Sequence, residues 1–234
     1  MKLTLDVENT TVTRNGKLHL DPFEPENTLV MVGMLTDQGD EYRLAFDHDE
    51  YDPNGCVDKH GTVWSPANNN RIWVQKLLDQ ATVLIMHNAA YDLLWLWESG
   101  FTYTGPVFDT MLAEYVLQRG IKEPLSLEAC AERYELDTKK QDTLKEYFKK
   151  GYSTRSIPLN ELDEYLSSDL HATQQLSDKL MRQLMTDSSS LMDTVTLTNQ
   201  VCVTLARIYQ RGFKVDMDVL ENVRQEFEEE KRQL

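Results

Sequence analysis

The strongest constraint on this chain is a change of hydrophobic period along its length. Near the N-terminus Leu3, Leu5 and Val7 alternate with Thr4, Asp6 and Glu8, so residues 2–7 read as a two-faced strand. Residues 28–36 and 42–46 read as two further strands, joined by a turn at Asp37-Gln38-Gly39-Asp40. Asn15-Gly16 is a turn signal, 21–27 a loop with two prolines, and 47–70 a long polar surface connection. Ile72, Trp73, Leu77 and Leu78 mark a helix, 82–86 a buried strand, 90–99 a helix closed by Gly100, 107–108 a short strand and 110–117 a helix. Beyond that the period lengthens to three and four. Leu162, Leu166, Leu170, Thr173, Leu176, Leu180 and Leu184 form one stripe of a helix over 159–185, with Pro158 where proline is tolerated. After Asp187-Ser-Ser-Ser190 come helices over 191–211 and from 218 onward. Antiparallel strands first, then parallel strands reached through helices, predict an α/β domain with a mixed sheet. Its expected span is 1–187, with a helical extension over 188–234 that lacks a sheet and is expected to lie against a partner.

Composition narrows the class. A chain of 234 residues with 41% hydrophobic and 27% charged residues is globular, not collagen-like or disordered. No stretch reaches the ~20 apolar residues that span a bilayer, and an acid at position six rules out a signal-peptide core. Three scattered cysteines (Cys56, Cys130, Cys202) fit a reducing compartment, so a cytoplasmic protein with no membrane partner is expected. The net charge of −15 argues against gripping nucleic acid through its phosphates alone. It leaves room for contact through bound cations, for which carboxylates are ligands. Charge is also uneven: residues 1–60 hold thirteen acids against five bases, whereas 139–155 hold six bases against two acids.

Asp6 and Glu8 share one face of the first strand, about 7 Å apart, which is costly unless solvated or neutralised by cations. About six acid-x-acid pairs are expected by chance in such a composition, so placement carries the argument. His87-Asn88-Ala-Ala-Tyr-Asp92 falls where a strand ends and a helix begins, where sites collect in α/β folds. Asn88 is placed to cap that helix and Asp92 lies in its first turn. Tyr165 and Asp169 stack at i, i+4 on the long helix. Asp109 stands as a helix N-cap, a structural role. Cys56, His60 and His48 fall short of a zinc site.

Together, Asp6, Glu8, Asp92 and Asp169, with Tyr165, resemble in order and context the DEDD exonucleases, which have a ribonuclease H-like fold. Tyr165 stands four residues before the last acid, and Glu164 occupies the position where the other subtype has histidine, so the resemblance is to the tyrosine subtype. The stretches 108–117, 127–133 and 169–176 resemble the proofreading 3′–5′ exonuclease domain of family A DNA polymerases, and 205–216 resembles the passage from that domain into the polymerase domain. The short run before the first motif is more similar to a phage enzyme, which would place the protein in a host bacterial cytoplasm.

The resemblance implies a ribonuclease H-like mixed sheet flanked by helices and a two-ion hydrolysis with Mg²⁺ or Mn²⁺. Asp6, Glu8 and Asp169 would hold the ion that activates water, with Asp6 bridging to a second ion that Asp92 supports through water. Tyr165 would orient the attacking water, its phenol being too weak an acid, with a pKa of ~10, to serve as a strong base. Asn88 would contact the substrate or position the second motif. The basic stretch, with Lys139, Lys140, Lys149, Lys150 and Arg155 among Tyr147, Phe148 and Tyr152, is a candidate surface for single-stranded DNA 3′ ends, since aromatics stack bases and lysines track phosphates. The implied partner is a family A polymerase domain or subunit. Rival readings are an RNA-trimming exonuclease of the same subtype and a non-catalytic module that docks to a polymerase.

Overall fold

The computed structural model describes residues 1–50, 56–57, 63–64, 66–136, 142–187 and 189–233. Its strands are β1 (Lys2–Asn9), β2 (Val12–Arg14), β3 (Lys17–His19), β4 (Leu29–Thr36), β5 (Glu41–Ala45), β6 (Cys56–Val57), β7 (Val63–Trp64), β8 (Val83–Met86) and β9 (Val107–Asp109). The helices are α1 (Pro66–Gln80), α2 (Ala89–Glu98), α3 (Thr110–Leu117), α4 (Leu127–Arg133), α5 (Asp142–Lys149), α6 (Leu159–Asp187), α7 (Ser189–Arg211) and α8 (Met217–Gln233). The central sheet has the order β5-β4-β1-β8-β9. β4 runs antiparallel to β1 and β5, and β8 and β9 run parallel to β1, as the order of elements predicted. With helices on both faces this is a ribonuclease H-like α/β fold.

The two faces of β1 explain the layering. Leu3, Leu5 and Val7 point into a core shared with Leu77, Leu78, Leu93, Trp95 and Trp97 of α1 and α2. The opposite face, carrying Thr4, Asp6 and Glu8, lies under α6. The predicted stripe on α6 holds throughout: Leu162, Leu166, Leu170, Thr173, Leu176, Leu180 and Leu184 are all buried. Asp6 pairs with Gly33 across β1 and β4, so both look toward α6. A Cβ at Gly33 would stand 2.8 Å from Leu166 Cγ and 2.9 Å from Leu170 Cδ1. The glycine therefore lets α6 approach the sheet closely beside Asp6.

Two expectations need correcting. Residues 12–19 form a β2–β3 hairpin, not merely a turn, with Asn15 and Gly16 both at positive φ (52° and 74°) as a two-residue hairpin turn requires. The extension also divides. α7 packs one face on the α/β body, burying Val195, Asn199 and Ala206, and leaves Leu197, Val201, Leu205 and Ile208 exposed on the other. The Arg207 guanidinium lies 3.3 Å from the Trp97 ring centroid, and Gln210 Nε2 donates to Glu98 Oε1 at 2.8 Å. α8, by contrast, has no buried residue. Among the described residues no helix is long and apolar enough to cross a membrane.

Candidate active site

The register of β1 and β8 ends at Thr4–Ile85, so the upper half of β1 runs on past β8. The first turn of α2 comes in over this stretch. The carboxyls of Asp6 and Asp92 approach each other beside the Val7 N–H, close enough that each acts on the ionisation of the other. Two carboxyls this close cannot both ionise cheaply, so a proton or a cation between them is favoured. Glu8 follows on the same face of β1. Asp169 arrives from α6 close enough for its charge to act on Asp6 and Glu8. The phenol of Tyr165 hydrogen-bonds Asp169, one turn along the helix. The fold thus brings together Asp6, Glu8, Asp92, Tyr165 and Asp169 from β1, α2 and α6.

Electrostatics follows from this crowding. Asp92 and Asp169 are buried, while Asp6 and Glu8 are half-buried. Loss of water, then the charge of Asp169, pushes the Asp6 carboxyl up to about 7. Glu8 is held well above the usual range by burial and then by Asp6 and Asp169; Asp92 is raised by burial, Asp6 and Asp109. Burial first, then Asp169, Glu8 and Asp6, drive the Tyr165 phenol far up, so it keeps its proton at any working pH. The charges acting on these acids come from other acids. Four hard oxygen donors in mutual repulsion are the donor set a divalent cation fits. Among the described residues no three His, Cys, Asp or Glu side chains already stand spaced around one ion. Carboxylates that repel or share a proton have nothing to gather about until a cation replaces that proton.

Two further residues build this end of the fold, and sequence reasoning missed their roles. Tyr91 Oη donates to Asn9 Oδ1 at 2.7 Å, fastening α2 to the end of β1 beside Glu8. Asp109 caps α3 as expected, accepting from Met111 N at 2.9 Å and Leu112 N at 3.4 Å, but it also accepts from Asn88 N at 3.0 Å and Ala89 N at 2.9 Å. The expected cap from Asn88 does not form: its side chain makes no capping bond and its backbone is left-handed (φ 69°). The Asn88 side chain is instead exposed, one turn before Asp92.

The basic surface is only partly placed, since Lys139 and Lys140 lie outside the described residues. Lys149 and Lys150 are exposed on and just after α5, which packs beside Tyr165 through Leu144 and Tyr147. Lys150 Nζ stands 5.7 Å from the Tyr147 ring centroid. Arg155 is engaged elsewhere, in ion pairs with Asp49 at 2.8 Å and Asp47 at 3.2 Å. His60 lies outside the described residues, and His48 is bonded to the Ile157 carbonyl and the Glu50 N–H.

A family model described as 3′–5′ exonuclease matches residues 66–185, just over half of the chain. The match contains Asn88, Asp92, Tyr165 and Asp169, and begins after Asp6 and Glu8, which the fold adds. DNA polymerase I of Synechocystis is 29% identical over 145 residues, covering 62% of this chain but only 14% of the polymerase. The chain therefore spans about a seventh of that relative. Two solved structures have the same fold. NrnC of Brucella melitensis with bound Mg²⁺ superposes at a TM-score of 0.58 and 19% identity, covering 92% of this chain and 88% of that one. The polymerase domain of Pol1 from M. smegmatis, in complex with DNA primer-template and dNTP, reaches 0.61 at 17% identity, covering 99% of this chain and 32% of that one. With the acids assembled on a ribonuclease H-like sheet and the family match spanning the second and third motifs, the chain belongs to the 3′–5′ exonuclease domains of family A DNA polymerases.

Proposed function

We propose that this chain is a divalent-cation-dependent 3′–5′ exonuclease that trims single-stranded DNA ends and serves a family A polymerase domain or subunit in proofreading. One observation carries the reading: the close approach of the Asp6 and Asp92 carboxyls, with Glu8 beside Asp6 on β1 and Asp169 and Tyr165 brought in from α6. Bound Mg²⁺ or Mn²⁺, two ions in this reading, would supply charge neutralisation at the phosphoryl group and a more acidic water. Asp6, Glu8, Asp92 and Asp169 would hold these ions. Water attacks phosphorus, the bond to the 3′-oxygen breaks, and a 5′-nucleoside monophosphate leaves a shortened strand with a new 3′-hydroxyl. The protonated Tyr165 hydroxyl orients the attacking water and takes no proton from it. Asn88, exposed beside Asp92, contacts the terminal nucleotide. Lys149 and Lys150, with the exposed Phe148 and Tyr152, guide the strand toward Tyr165. Arg155 belongs to the same surface only if its pairs with Asp47 and Asp49 open. The exposed apolar stripe of Leu197, Val201, Leu205 and Ile208 on α7 fits the polymerase body as a neighbour.

The test is direct. The purified chain with Mg²⁺ should shorten a 5′-labelled single-stranded DNA stepwise from its 3′ end, and EDTA should stop it. Cleavage that persists in EDTA would refute the cation reading. Faster trimming of an RNA oligonucleotide of the same sequence would transfer the assignment to the RNA-trimming rival.

A further inference from the structure

We propose that Asp109 is a positioning residue for the exonuclease reaction: its buried carboxylate clamps the β8–α2 turn to the start of α3 and so fixes where Asp92 is presented. The inference rests on the reading of Asp92 as a site acid. The sequence supplies the need. α2 starts at Ala89 without a side-chain cap of its own, which leaves its first N–H groups without partners inside the helix. The preceding residue, Asn88, is left-handed at φ 69°, ψ 52°, a conformation that costs a residue with a Cβ and persists only when its surroundings hold it.

Asp109 answers both needs from a different strand. It pairs with Met86 in the β8–β9 register, directly beside the turn, and it is 1% exposed. Four N–H groups converge on its two oxygens: Asn88 and Met111 on Oδ1 at 3.0 and 2.9 Å, Leu112 more loosely on Oδ1 at 3.4 Å, and Ala89 on Oδ2 at 2.9 Å. Bonds to an ionised acceptor are roughly twice as strong as neutral ones. A single cap for α3 would need only the Met111 and Leu112 pair; the Asn88 and Ala89 pair serves α2 and its motif. Asp92 lies one turn further on, so a small rotation of that first turn displaces its carboxyl from Val7 and Asp6. The clamp is tied in turn to the extension: the Asp109 N–H donates to Asn199 Oδ1 at 3.3 Å, and Asn199 is buried on α7. In this way a helix outside the family match touches the site through two intermediates.

Asp109→Ser separates the two duties, because one short hydroxyl can cap α3 but cannot serve both helices. In the full chain, amide hydrogen exchange at Asn88 and Ala89 should accelerate at least tenfold. The dissociation constant for Mn²⁺, measured calorimetrically, should rise on the order of tenfold, as when a group that orients a ligand is lost. kcat on single-stranded DNA should fall by a similar factor with KM within twofold. Asn199→Ala should move the same readings in the same direction by a smaller factor. Leu180→Ala, in the α6 core, is the control for general softening and should leave the Mn²⁺ affinity unchanged. Protected amides and an unaltered Mn²⁺ titration in Asp109→Ser would overturn the proposal; so would an equal loss of Mn²⁺ affinity in Leu180→Ala. A wild-type chain that binds no Mn²⁺ would sink the cation reading, and the exchange rates would still decide the clamp.

Discussion

Asp92 and Glu114 are equally buried, at 2% exposure each, and the molecule treats them in opposite ways. Glu114, on α3, is surrounded by donors. Arg133 Nη1 stands 2.6 Å from its Oε1, Gln118 Nε2 donates to the same oxygen at 3.1 Å, and Tyr134 Oη donates to Oε2 at 2.7 Å. Asp92 faces Asp6 and feels Asp109, so the charges acting on it come from acids. A buried acid whose partners are complete holds helices together. One whose neighbours are acids, beside the half-buried Asp6 and Glu8, is held ready for a cation. Each cluster also has a phenol, Tyr134 in the first and Tyr165 in the second, which allows the comparison to be tested twice.

The largest effect should come from Asp6→Asn. It removes the acid that the others crowd upon, and the loss of several kcal/mol of transition-state charge stabilisation lowers kcat on the order of 10³-fold. Because a like charge is also removed, the thermal midpoint of the cation-free chain should stay level or rise. A sharp fall in that midpoint would place Asp6 with Glu114 as a structural acid. Glu114→Ala is the mirror experiment. It strands Arg133 and Tyr134 with unmet donors, and since Arg133 is partly solvated the cost should be about 2–3 kcal/mol in denaturant unfolding. Activity per folded molecule should be unchanged, and a selective loss of kcat would abolish the contrast. Third, Tyr165→Phe should lower kcat about tenfold, at the low edge of what a positioned proton-bearing group contributes, with little change in stability. Tyr134→Phe should do the reverse, losing about 1 kcal/mol of stability for one hydrogen bond.

Much of this contrast was legible in the sequence because its signals are local. Alternation in β1 put Asp6 and Glu8 on one face, and the three-and-four spacing of α6 set Tyr165 and Asp169 beside each other once its leucine stripe faced the sheet. What was not legible depends on residues far apart in the chain. Asn88 looks like a cap because capping is normally local, yet the acceptor comes from Asp109, 21 positions on. The β2 and β3 strands are three residues each, too short for alternation to register, although Asn15-Gly16 is the turn that would announce them. Two signals were present and went unused. The unbroken buried run Leu93–Trp97 in α2 means a helix covered on two sides, which is the place α7 fills. A glycine inside the buried strand β4 marks a close approach, here that of α6.

The smallest effect discriminates most finely, because it uses the proton that the raised Asp6 carboxyl holds. An acid raised in the folded state binds protons that the unfolded chain has already released. Between the unfolded aspartate value near 4 and the folded value of about 7 for Asp6, the cation-free chain therefore loses stability as pH rises. Above that window the contribution levels off. A divalent cation competes with the same proton, so its apparent affinity climbs through the same window, and its stabilisation of the native state climbs with it. At a fixed excess of Mn²⁺, the gain in thermal midpoint over the cation-free chain should be greater at pH 8 than at pH 5.5. The difference should be roughly 3 °C, the shift that about 1 kcal/mol makes in a chain of this size. Asp6→Asn should flatten this dependence, and Glu114→Ala should leave it intact. A gain independent of pH in the wild type would mean that the cation does not displace the proton between Asp6 and Asp92, and the two buried acids would no longer be different in kind.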